Sequence, residues 1–136
     1  MSAQLATFSD SIRLFLHVIG ATIWVGGQLV FAALVPVFKK IDPTLPKTVA
    51  KHFNKIAWPA FALLVITGGW NMATLPKEVP SNYSLFIGVK MMVVLLSGVA
   101  AFLHSRATST KGMAMWGGIS GLAALSATYV GVLLAG

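Results

Sequence analysis

Leu85–His104, LFIGVKMMVVLLSGVAAFLH, is apolar enough to lie in a bilayer, yet it carries a lysine, Lys90. A lysine inside a membrane segment costs about 2.5–3.5 kcal/mol on insertion scales and usually marks a function. Lys90, Ser97 and His104 follow one another at intervals of seven residues. Seven residues are two helical turns, so all three share one face. A polar seam inside a membrane helix needs a surface to receive it, and the other spans must supply that surface.

The composition agrees with a membrane setting. The 136 residues are 57% hydrophobic and 10% charged, against about 25% charged in an average soluble domain. That length suits one compact bundle. There is no cysteine, which excludes disulfides, iron–sulfur clusters, thiolate zinc sites and covalently attached c-type haem. The net charge is +7. A basic chain can bind nucleic acid, but here the Lys and Arg residues cluster between apolar spans, where they set topology. The expected partner is the lipid bilayer and not nucleic acid. Residues 1–10 contain no Lys or Arg, and the apolar run after them exceeds a signal h-region of about 7–15 residues. The first span is therefore expected to stay in the mature protein.

Four spans are predicted, at about residues 11–38, 48–74, 84–105 and 113–135, in a single domain covering residues 1–136. Ser9 or Asp10 suits the first N-cap, and Arg13 can snorkel to the headgroups. His17, Trp24 and Phe31 share a face of span 1, with Gly20, Ala21, Gly27 and Gln28 beside them. The first connection holds Lys39, Lys40, Lys47, Lys51 and Lys55 against one acid, Asp42. Pro43 and Pro46 are read as breakers, Thr48 as the cap of span 2, and Pro59 as a kink within it. Span 4 contains Gly117 and Gly121, a small-xxx-small pattern for close helix contact. Connections one and three carry seven of the ten Lys and Arg residues, so the positive-inside rule puts both termini outside and the lysine-rich loops in the cytoplasm. The fold class is thus all-α: an integral four-helix up-down bundle in a bacterial-type inner membrane.

That orientation makes two polar layers. His17 and Lys90 each lie about six residues into spans that enter from the outside, roughly 9 Å deep at 1.5 Å per residue. His52 and His104 stand near the inner ends of spans 2 and 3, with Met113 and Met115 close by in sequence terms. An imidazole and a neutral lysine amine are both nitrogen donors, so His17 and Lys90 on opposite faces of a haem would make a six-coordinate b-type site without cysteine. Trp24, Gly20 and Gly27 would line the ring, and His52 and His104 are candidates for a second layer. Plainer roles exist for the same residues. The Lys90 stem can carry its ammonium to the interface, a membrane histidine such as His17 often hydrogen-bonds between helices, and His52 and His104 suit solvated helix ends. Copper is the alternative metal, bound by His17, His52, His104 and the Met113/Met115 pair, because imidazole and thioether suit Cu(I).

Three stretches also carry a family resemblance. LHVIGATIWVGG places His17 seven residues before the Trp24-x-Gly26-Gly27 motif. KHFNKIAWPAFALLVITGGW opens basic-Phe-x-basic and closes on Thr67-Gly68. LFIGVKMMVVLLSGVAAFLH sets Gly88 just before Lys90. Together they resemble the membrane domain of the copper resistance protein D family and are similar to the HemJ-type protoporphyrinogen oxidases, over about residues 14–106. The second resemblance implies haem b held by His17 and Lys90, with redox chemistry on a porphyrin-type or quinone-type small molecule. The first implies copper uptake across the inner membrane. The expectation is an electron-transfer protein or oxidoreductase with haem b, with copper transport as the alternative and self-association left open.

Overall fold

The computed structural model of the chain describes residues 3–135. Among them there is no strand, and four helices are long and apolar enough to cross a membrane: α1 (Phe8–Ile41), α2 (Leu45–Ala73), α3 (Ser81–Arg106) and α4 (Thr110–Ala135). Each spans at least about 39 Å at 1.5 Å per residue, more than a hydrocarbon core of roughly 30 Å.

Local chemistry explains why the helices start earlier than the sequence predicts. α1 is capped by Thr7, neither by Ser9 nor by Asp10. The Asp10 N–H donates to Thr7 Oγ1 at 3.2 Å, and the Thr7 hydroxyl donates back to the Asp10 carboxylate at 2.8 Å, a variant of the reciprocal capping pair. Arg13 does not reach outward; it is 9% exposed and its Nη1 pairs with Asp10 Oδ1 at 2.8 Å. Pro46 does not break α2 but sits in its first turn, where a missing N–H costs nothing. The turn before it is built by Asp42, whose carboxylate accepts the Thr44 N–H at 2.8 Å and the Thr44 hydroxyl at 2.7 Å. Those two bonds, the backbone one first, hold the Asp42 carboxyl below its ordinary value of 3.8. Pro59 of α2 and Pro36 of α1 both stand inside helices.

The chain forms two compact units, one ending at Leu75 and the other beginning at Pro76. Each is an antiparallel helical hairpin with its own seam. In the first, α1 meets α2 through residues recurring every three or four positions. A Cβ on Gly20 would lie 3.0 Å from the Ala60 carbonyl and 3.3 Å from the Leu64 nitrogen, so the two backbones cross where only hydrogen fits. One turn on, Trp24 (4% exposed) packs its ring 5.2 Å from Trp58 and 4.5 Å from Phe61. Beyond it Phe31 stacks on Phe53 at 5.7 Å, and Phe53 also covers Gly27. Trp24 stands in a π-helical turn, Thr22–Gly26, that interrupts α1 between α-helical parts Phe8–Ala21 and Gly27–Ile41. Nothing in the hydrophobic pattern announces this wide turn; such turns occur often at functional sites.

In the second unit the receiver of the polar seam is α4. Lys90 lies over Gly131, with Nζ 3.2 Å from where a Cβ would be. The Ser97 hydroxyl donates to the Ser120 carbonyl at 3.0 Å, and the Ser120 hydroxyl donates to the Ser97 carbonyl at 2.9 Å. His104 Nδ1 lies 2.6 Å from the Met113 carbonyl, its ring over Gly117. All three members of the seven-residue repeat therefore land on one stripe of α4, completed by buried Ala124 and Ala127. Of the two predicted contact glycines, Gly117 is in the seam, while Gly121 has open space beside it.

Candidate functional site

His17 is half-buried on α1, nine residues after Phe8, and it faces α2. Its Nδ1 lies 2.8 Å from Oγ1 of Thr67, a side chain only 1% exposed. Thr67 in turn donates its hydroxyl proton to the Leu63 carbonyl one turn back, at 2.7 Å. Next along α2, Gly68 brings bare backbone close to the imidazole: a Cβ there would meet His17 Cε1 at 3.9 Å. Gly69 and Gly26 have open space where a side chain would stand. One turn before His17, the Arg13 side chain is buried with its Nε lacking a hydrogen-bond partner among the described residues, as is Oδ1 of Asn71 on α2.

All three ring-lining residues expected from the sequence are engaged by protein. Gly20 is filled by Ala60 and Leu64, and Gly27 by the Phe53 ring. Trp24 is covered by Trp58 and Phe61. The bare surface next to His17 belongs instead to Gly68. The Thr-Gly pair was visible in the sequence, but its partnership with His17 depends on helix register across fifty residues.

Lys90, like His17, lies nine residues into its helix, counted from Ser81, and it is half-buried. It belongs to the second unit, where its stem runs against α4 at Gly131. His52 is exposed on the first turns of α2, and His104 is exposed near the end of α3, tied to Met113. The three histidines thus stand in three settings: held by a hydroxyl, held by a carbonyl, and exposed. Among the described residues no three His, Asp or Glu side chains gather as a metal-binding group.

No protein-family profile, curated protein or solved structure matches the chain.

Proposed function

We propose that this is an inner-membrane protein that binds haem b, with His17 and Lys90 as the nitrogen donors that would hold it, and that it works in electron transfer or as an oxidoreductase on a lipid-soluble or porphyrin-type partner. The observation that carries this reading is the setting of His17. An imidazole in an apolar span is gripped at one nitrogen by a buried hydroxyl, beside a glycine that leaves backbone bare at its Cε1 edge. Metal-bound histidines are characteristically held through the nitrogen that does not ligate. A helix-to-helix hydrogen bond and a ligand role are compatible, because the ring has two nitrogens.

Other residues support the reading. His17 and Lys90 stand at the same distance from the starts of their helices, about 14 Å at 1.5 Å per residue. Lys90 lies along Gly131 within its own hairpin; coordination requires its neutral amine. The Arg13 Nε, without a hydrogen-bond partner among the described residues, offers a donor to a carboxylate, and a haem carries two. Bound haem b would supply one-electron chemistry. In this reading the four helices pass up and down with both termini outside and the lysines of the first connection in the cytoplasm. The resemblance to the HemJ-type oxidases implies the same His and Lys positions.

The test is reconstitution with haem followed by spectroscopy of His17→Ala and Lys90→Ala. Each variant should lose the low-spin reduced spectrum of the parent. A spectrum unchanged in both removes these residues as ligands.

A further inference from the structure

Thr67 makes three contacts through one oxygen, to the Leu63 and Leu64 carbonyls of its own helix and to His17 Nδ1, and the position of its single proton decides which nitrogen of His17 carries the ring hydrogen. The Thr67 hydroxyl oxygen lies 2.7 Å from the Leu63 carbonyl oxygen. Two oxygens at that distance are bonded only if a hydrogen lies between them, and a carbonyl has none to give. The hydroxyl proton is therefore committed to its own helix, to the Leu63 carbonyl four residues earlier with the Leu64 carbonyl at 3.2 Å as the longer second acceptor. The same oxygen stands 2.8 Å from His17 Nδ1. It can only accept there, so Nδ1 must carry a hydrogen. This holds for the neutral ring and for the imidazolium alike, and it puts the lone pair of the neutral ring on Nε2.

We infer that Thr67 is a positioning residue for His17: it keeps the proton on Nδ1, fixes the plane of the ring, and makes Nε2 the donor atom. The tautomer stands on the hydrogen-bond geometry alone, while its use in holding a metal rests on the haem reading above. The arrangement has the form of an outer-shell partner, in which a hydrogen bond to one imidazole nitrogen orients the other and raises its basicity. Burial adds to it. Thr67 is 1% exposed, so no water competes for its oxygen, and the helix of which it is part holds the acceptor still. Ser at this position supplies the same oxygen. Val matches the shape of Thr and supplies none.

The chain has three histidines, so ¹⁵N-histidine labelling of the intact protein in nanodiscs gives three ring spin systems, and His17 is assigned by its loss in His17→Ala. Without haem, at a pH where the ring is neutral, His17 is expected to show a pyrrole-type Nδ1 and a pyridine-type Nε2. Thr67→Ser should keep that pattern, and Thr67→Val should convert His17 to a tautomer mixture, with unchanged helix content by circular dichroism. A wild-type His17 protonated on Nε2 overturns the inference whatever the haem result. With haem supplied, Thr67→Val should weaken binding by about 10–100-fold, as loss of an outer-shell partner does elsewhere, and Thr67→Ser should restore most of it. Equal haem affinity in wild type and Thr67→Val overturns the positioning role. Should wild type take up no haem while His17 shows the Nδ1–H pattern, the haem reading falls and the tautomer assignment holds.

Discussion

His17 and Lys90 differ in how much of their setting the sequence discloses. That Lys90 belongs to a polar seam is legible from the seven-residue spacing to Ser97 and His104. That His17 is gripped by Thr67 is not legible, because the pair lies fifty residues apart and depends on helix register. At this scale the serine clasp of the second hairpin gives a measurable energy. Interhelical hydrogen bonds in membranes average about 0.6 kcal/mol, so Ser97→Ala with Ser120→Ala should cost on the order of 1 kcal/mol in reversible unfolding from mixed micelles. Asp42 gives a pH dependence. Its folded carboxyl titrates below 3.8 because the charged form accepts two bonds from Thr44. The turn is therefore held firmly above the ordinary aspartate value and loosens as pH falls through the lowered one. A ¹³C carboxyl titration should find Asp42 displaced downward, and Thr44→Ala should return part of the displacement.

The helices themselves were legible as four spans from hydropathy, but their ends were not. Thr7 and Pro46 start α1 and α2 a turn earlier than expected because a capping pair and a first-turn proline both favour it. Residues 22–26 form a π turn for which the sequence offers no period change. The glycines predict a graded response along α1. At Gly20 an added methyl would meet backbone, at Gly27 a ring edge that can turn, and at Gly26 nothing within 4 Å. Alanine substitution should therefore destabilise most at Gly20, by about 1–3 kcal/mol as for overpacked sites, less at Gly27 and least at Gly26. Thermal denaturation in detergent would rank them.

At the scale of the molecule, two helical hairpins divide the chemistry: His17 with Arg13 and Thr67 in one, Lys90 with the serine clasp in the other. Hydropathy and loop charge could state the class and an orientation, but packing within each hairpin is decided by small residues such as Gly20, Ala124 and Ala127, whose role shows only once the partner helix is in place. The orientation has a clean test because the chain lacks cysteine. Single cysteines at Thr44 and Ser109 should react with an impermeant maleimide only from the cytoplasmic side, and those at Ala3 and Glu78 only from the outer side. The reverse pattern would invert the topology.

The most direct measurement is the visible spectrum of the detergent-purified protein, oxidised and dithionite-reduced, with haem quantified as its pyridine complex. A Soret band with sharp reduced α and β bands at one haem per chain, both lost in His17→Ala and Lys90→Ala, is the predicted result. A protein that stays colourless when haem is supplied would contradict the account.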